Sequence, residues 1–250
     1  MLAGLMSDAP PRPQLSAVVP AYNEVESLPA LVAELSAALD ATGCTWEMLL
    51  VDDGSRDGTG DAMDARAAHE PRIRVLRLER NAGQSAALAA GLARARGDVV
   101  ITLDADLQND PADIPVLVAE LERSEAAAVA GYRVDRQDSG WKRLQSRIAN
   151  GVRNRLNRET IRDTGCSLKA FRAEALRAVP LFNGMHRFLP TLVRMRGGRV
   201  TEVPVHHRPR RFGKTKYGMW NRVFRALVDA LAVRWMQRRA LRYQVREELP

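Results

Sequence analysis

The sequence is short of several things that mark large functional classes. It has only two cysteines, Cys44 and Cys166, which make neither a disulfide framework nor a zinc pattern, so a reducing cytosol fits. Aromatic residues make up 5% of the chain and no RNA- or DNA-reading motif is present, which ranks a nucleic-acid-binding protein low. No stretch approaches the ~18 consecutive apolar residues of a spanning helix. The N-terminus carries Pro10, Pro11 and Pro13 without an apolar h-region, so residues 1–13 read as a flexible leader rather than a signal peptide. Neither a GxGxxG fingerprint after the first strand nor a GxxxxGKS/T loop occurs, which disfavours a nicotinamide dehydrogenase and a P-loop NTPase.

What is present suits a globular α/β protein. The 250 residues, 46% hydrophobic and 27% charged, are enough for a substantial core in one domain with an appended segment. The net charge of +8 conceals a division. Residues 1–132 hold 10 Lys+Arg against 21 Asp+Glu, a balance of −11, and residues 133–250 hold 28 against 9, a balance of +19. Arginine supplies 34 of the 38 positive charges. An acidic half followed by an arginine-rich half suggests a metal-nucleotide site joined to a surface that meets anions.

Three apolar runs end in polar, turn-forming residues. Leu15–Val19 runs into Pro20-Ala21-Tyr22-Asn23-Glu24, Met48–Val51 into Asp52-Asp53-Gly54-Ser55, and Val99–Leu103 into Asp104-Ala105-Asp106-Leu107-Gln108. Helical patterns follow each one: 26–41 with Leu28, Leu31, Val32, Leu35 and Leu39 on one face, 57–69, and 114–123. A further strand over 73–78 and a helix over 84–96 complete the alternation expected of βαβ units in a mostly parallel sheet. Ligands in such a sheet gather outside the carboxyl ends of the strands. Extended geometry points Asp104 and Asp106 the same way, with Gln108 following if the extension persists. Such oxygen ligands suit Mg²⁺ or Mn²⁺ shared with substrate phosphates. Asp52 or Asp53 is placed to accept from a base or ribose.

After a strand over 126–131 the pattern turns basic. A basic helix is expected over 139–157, a loop and short strand over 164–171, a helix over 185–196, a strand over 200–205 and a basic loop over 209–216. A last helix, from 219 to about 239, carries Trp220, Val223, Phe224, Leu227, Val228, Leu231 and Trp235 on one stripe. A basic amphipathic helix of this kind can lie in a membrane interface and bind anionic lipid. His206 and His207 lack partners at zinc spacing and read as structural.

The strand-end motifs resemble those of inverting family 2 glycosyltransferases of the GT-A fold, and within them the dolichyl- or polyprenyl-phosphate sugar transferases. Asn81-Ala82-Gly83-Gln84, Asp163-Thr164-Gly165-Cys166 and Gly213-Lys214-Thr215-Lys216-Tyr217 extend the resemblance over roughly residues 14–218. It implies a GT-A catalytic domain over 14–218, with a nucleotide-sugar and metal half (14–132) and an acceptor half (133–218), followed by the helix and tail at 219–250. The implied reaction moves a sugar from a UDP- or GDP-sugar to a polyprenyl phosphate. Pro20, Tyr22, Glu24, Asp52, Asp53 and Gln84 would line the donor pocket. Asp104 would lie at the ribose and phosphates, and Asp104, Asp106 and Gln108 would hold the cation. Arg133, Arg147 and Arg210 would grip the acceptor phosphate, with Arg143 and Arg211 as neighbours able to take those roles, since guanidinium forks suit phosphate oxygens. Asp163 would orient or line the site. A GT-A enzyme acting on a sugar hydroxyl is the alternative. The implied setting is the cytoplasm or the cytoplasmic face of a membrane, with a separate membrane protein supplying the spanning segments that many family members carry.

Overall fold

A computed structural model describes residues 12–134, 151, 155, 160–177, 179–209 and 219–240, the first eight of the last stretch as backbone only. The expected basic helix over 139–157, all but two of whose residues are undescribed, the loop at 210–218, and with them Arg143, Arg147, Arg210 and Arg211, lie outside the described residues.

The sheet is built from strands β1 (Leu15–Ala21), β2 (Trp46–Asp52), β3 (Ile73–Arg77), β4 (Val99–Thr102), β5 (Ala128–Arg133), β6 (Lys169–Arg172) and β7 (Val200–Val205). Their spatial order is β3-β2-β1-β4-β6-β5-β7. All pairs are parallel except those of β6, which runs antiparallel between β4 and β5. Helices α1 (Leu28–Asp40), α2 (Thr59–His69) and α3 (Gln84–Leu92) connect the first four strands. Then come α4 (Ile114–Arg123), α5 (Ala173–Arg177), α6 (Leu189–Met195) and α7 (Met219–Arg239).

The central strands are apolar on both faces because both faces are covered. On β2, Met48 and Leu50 pack with Leu31, Leu35 and Leu39 of α1, Met63 of α2 and Leu117 and Leu121 of α4. Leu49 and Val51 point the other way, towards Ala87 and Leu88 of α3, Leu192 of α6 and Val233 of α7. Each such leucine contributes about 1.5–3 kcal/mol on full burial. The expected α1 stripe is the buried face of that helix.

Several boundaries differ from the sequence reading for local reasons. Helix α2 starts two residues late, after Gly58 at φ +93°, because the Asp57 carboxylate closes the preceding turn on Thr59, accepting from Thr59 N at 3.0 Å and Thr59 Oγ1 at 2.5 Å. Strand β4 stops at Thr102, one residue before the end of its apolar run. The expected helix over 185–196 is a 3₁₀ turn, Met185–Arg187, followed by α6, whose first turn holds Pro190. The final helix has the expected span, but its packing is the reverse of the simplest one. Ala230 and Val233 are buried, while Leu227, Val228, Leu231 and Trp235 are 43–63% exposed.

Gly54, in the turn after β2, has φ +69°, and a Cβ there would lie 2.5 Å from Arg80 C and 2.6 Å from Asn81 N. The β2–α2 turn and the β3–α3 loop therefore touch backbone to backbone. Gly54→Ala is expected to lower the urea unfolding midpoint, with a loss of at least about 1–3 kcal/mol from the left-handed backbone alone. An unchanged midpoint would show that the two loops can separate.

Candidate active site

The carboxyl ends of β1, β2 and β4 come to one edge, and the segments that leave them are laced together. Ala21 O, at the end of β1, accepts from Asp53 N at 2.9 Å. Asn23, at φ +52°, receives the Ser55 hydroxyl as acceptor for its N–H at 2.9 Å and takes the Arg56 N–H on its side-chain oxygen at 2.9 Å. Glu24 N donates to Thr59 Oγ1 at 2.9 Å. The Asp53 carboxylate accepts from Ala82 N at 2.7 Å, Gly83 N at 2.9 Å and Asn81 Nδ2 at 2.9 Å. It thereby fixes the start of α3, whose first residue, Gln84, donates Nε2 to Asp104 Oδ1 at 2.6 Å.

These side chains enclose a cleft. Pro20, Tyr22 and Glu24 line it from β1, Asp53 from β2, Asn81 and Gln84 from the α3 approach, and Asp104 and Asp106 from the β4 end. Asp52 is not among its walls. Its buried carboxylate accepts from Ser55 N at 2.9 Å and lies 3.9 Å from Arg77 Nε. Of the two adjacent aspartates, Asp53 is the one the fold turns to the cleft, and there it shapes the loops. Asn81, in the Asn81-Ala82-Gly83-Gln84 motif, is also a wall of the cleft.

The turn after β4 departs from extended geometry. Leu107 is buried at φ +58°, and Gln108 N donates to Asp106 Oδ1 at 3.2 Å. Gln108 O accepts from Arg208 N at 2.8 Å. The extension that would have carried Gln108 alongside the two aspartates does not persist, and Gln108 is not among the cleft walls. A left-handed leucine is uncommon and costly, and such strain collects at functional turns.

Asp104 and Asp106 share the floor. Burial first, and the neighbouring Asp106 charge second, push the Asp104 carboxyl up to about 6, against the opposing pull of Lys169, Ser167 and Gln84. Burial likewise raises Asp53, opposed by the Ala82 and Gly83 N–H groups. Two crowded carboxylates, one reluctant to ionise alone, form a donor set that a divalent cation would relieve. Among the described residues no group of three or more His, Cys, Asp or Glu side chains could hold a metal by itself. An ion here would thus draw further oxygens from a bound phosphate, as Mg²⁺ does.

At the end of β5, Arg133 forms a two-pronged pair with Asp163: Nε to Oδ2 at 2.6 Å and Nη2 to Oδ1 at 2.9 Å, both side chains mostly buried. His206 pairs instead with Asp113, ring Nδ1 to Oδ1 at 2.9 Å, and His207 bridges to Asn109. Cys166 is buried, its thiol pushed up to about 11 by that burial, and it packs as a small neutral residue.

A mostly parallel sheet with carboxylates at strand ends over one cleft is the arrangement of GT-A glycosyltransferases. The solved structures agree. The mannosyltransferase of Pyrobaculum calidifontis, in complex with GDP-Man and Mn²⁺, superposes with a TM-score of 0.64 at 22% identity, over 88% of this chain and 64% of that one. Glucosyl-3-phosphoglycerate synthase of Mycobacterium tuberculosis, with Mn²⁺, UDP-Glc and phosphoglyceric acid, gives 0.67 at 19% identity, over 90% and 79%. Residues 16–179, more than half of the chain, match the model of glycosyl transferase family 2, and the chain belongs to that family. Among curated relatives, dodecaprenyl-phosphate galacturonate synthase of Rhizobium johnstonii is 41% identical over 231 residues, 90% of this chain and 68% of the relative. Undecaprenyl-phosphate 4-deoxy-4-formamido-L-arabinose transferase of Salmonella paratyphi A is 41% identical over 215 residues, 85% and 65%. The chain thus spans about two thirds of the length of these relatives.

In the free protein, NMR titration of the aspartate carboxyl carbons should place Asp104 near 6 and move it down towards the ordinary carboxylate range in Asp106→Asn. A cation bound at this pair must displace the Asp104 proton, so its affinity should fall as the pH drops below about 6. An Asp104 that titrates near 4 in the wild type would remove the crowding from the site.

Proposed function

We propose that this glycosyltransferase moves a sugar from a UDP- or GDP-sugar to a polyprenyl phosphate, with Mg²⁺ or Mn²⁺ at Asp104 and Asp106. One observation carries the reading. The Arg133–Asp163 pair stands at the end of β5, across β6 from the end of β4, where Asp104 and Asp106 meet the cleft. A donor diphosphate and an acceptor phosphate would then have separate, adjoining seats. The names of the relatives, which specify dodecaprenyl and undecaprenyl phosphates, support the same acceptor class.

Tyr22 and Pro20 offer an apolar wall for a base, and Glu24 and the Asn81 side chain offer polar groups to the nucleoside. The cation, when bound, would neutralise charge developing on the departing diphosphate. Arg133, oriented by Asp163, presents a planar fork suited to phosphate oxygens, with Arg147 and Arg210 completing the clamp as the family resemblance implies. The acceptor phosphate is already ionised near neutral pH, so its oxygen attacks the anomeric carbon without a general base. The new C–O bond forms as the bond to the donor diphosphate breaks, and the electron pair leaves with the nucleoside diphosphate. Direct displacement inverts the centre, giving a β-linked product from an α-linked donor. In this reading Asp163 orients Arg133 and takes no proton.

The exposed stripe of α7 suits an anionic bilayer. Leu227, Val228, Leu231 and Trp235 face outward, and Arg238 and Arg239 at the end of the helix are exposed beside them. Among the described residues no helix is long and apolar enough to cross a membrane.

The decisive assay incubates UDP- and GDP-sugars with the enzyme, Mn²⁺ or Mg²⁺ and a polyprenyl phosphate, reading nucleoside diphosphate and glycolipid by mass spectrometry. One donor should yield glycolipid that disappears with EDTA; nucleotide release only with a soluble sugar acceptor would move the enzyme to the hydroxyl-acceptor class. Arg133→Lys, which keeps the charge opposite Asp163 but loses the fork, should raise the acceptor KM about tenfold or more and leave nucleotide affinity unchanged. Leu231→Glu should release the protein from vesicles containing phosphatidylglycerol while keeping its fold; wild-type protein that never floats with such vesicles would refute the α7 attachment.

A further inference from the structure

Strand β6 enters the sheet against the direction of its neighbours. Its first residue, Lys169, pairs with Thr102 of β4 on one side and Ala130 of β5 on the other. It therefore stands at the edge where both of those strands finish. The residues just before it, 163–168, have to cross the gap between the Asp104 turn and Arg133.

Hydrogen bonds on both flanks mark that crossing. Ser167 Oγ accepts from the Asp104 backbone N–H at 3.0 Å and from Asn109 Nδ2 at 2.7 Å. The Ser167 carbonyl accepts from Thr102 Oγ1 at 2.9 Å. Asn109 is buried, and its oxygen takes the Cys166 thiol at 3.3 Å, so both ends of this amide hold consecutive residues of the crossing segment. On the other flank Asp163 holds Arg133, and Gly165 lies so close that a Cβ would come within 3.0 Å of Arg133 Nη2. Beneath them the buried Lys169 Nζ donates to the Cys166 carbonyl.

We propose that Ser167, held by Asn109, is a positioning residue: it fixes the Asp104 backbone, and so the seat of its carboxylate, at the donor side and, through the chain to Asp163, keeps it in register with Arg133. This rests on the donor and acceptor assignment made above. Ser167 touches neither substrate in this account and acts through Asp104. The hydroxyl is the functional part, since its oxygen receives both the Asp104 N–H and the Asn109 side-chain amide.

The test titrates UDP and GDP, each with Mn²⁺, into wild type, Ser167→Ala and Ser167→Thr, and records thermal midpoints beside the affinities. Wild type should bind one nucleotide. Ser167→Ala should bind it about tenfold more weakly, the cost of losing the hydrogen bond that holds the Asp104 backbone. Its midpoint should stay within about 4 °C of wild type. Ser167→Thr, which keeps the hydroxyl, should restore binding to within about threefold. In turnover, Ser167→Ala should also raise the KM for polyprenyl phosphate, because the register with Arg133 is lost. Wild-type affinity in Ser167→Ala overturns the proposal while leaving the function standing. A collapsed midpoint in Ser167→Ala with no rescue by threonine also overturns it, in favour of a purely structural serine. Wild type that binds neither nucleotide overturns the glycosyltransferase donor assignment and the proposal with it.

Discussion

The Asp53 carboxylate holds together segments that the sheet alone would leave apart. It accepts N–H groups from Asn81, Ala82 and Gly83, and so ties the end of β2 to the approach of α3. A carboxylate receiving several N–H donors at once is a strong and directional anchor. Because α3 begins at the next residue, its placement sets Gln84, and Gln84 sets Asp104. One buried charge therefore defines the width of the cleft. Gly54 is the steric partner of the same contact, since only hydrogen fits where the β2 turn meets Arg80 and Asn81.

The antiparallel insertion of β6 has a chemical result. A fully parallel sheet would send every connection away from the active edge into a helix. Here one connection arrives at that edge, and it brings Asp163, Ser167 and Lys169 between two strand ends. Opposite charges can then be arranged across a short distance: carboxylates at β4, a guanidinium at β5, and a buried lysine between.

The order of elements was legible because the sheet is covered on both faces, which turns β1, β2 and β4 into uninterrupted apolar runs. The stripe of α1 was legible because helical periodicity over ten or more residues leaves little ambiguity. Strand direction was not, since nothing in Lys169–Arg172 says which way a four-residue strand runs. The short α5 was missed for the same want of length. At the site, the two aspartates of the β4 turn were readable, but the left-handed leucine between Asp106 and Gln108 carries no compositional flag, and it is what turns the chain aside. Asp52 and Asp53 were indistinguishable as letters; the β2 register, which points alternate residues to opposite faces, separates them. For α7 the periodicity told which residues share a face. Only the fold tells that Ala230 and Val233 form the covered one.

The two cysteines differ in burial. Cys166 is buried beneath the active edge, its thiol held up to about 11 and hydrogen-bonded to Asn109. Cys44 is half-buried in the turn before β2, at the far end of the sheet, beside a Gly43 with open space around it. A thiolate is the reactive species, so a maleimide dye or spin label at neutral pH would attach at Cys44. Of these two thiols Cys44 is thus the more accessible position, remote from the cleft, from which rotation, surface immobilisation or distance to a lipid bilayer can be read.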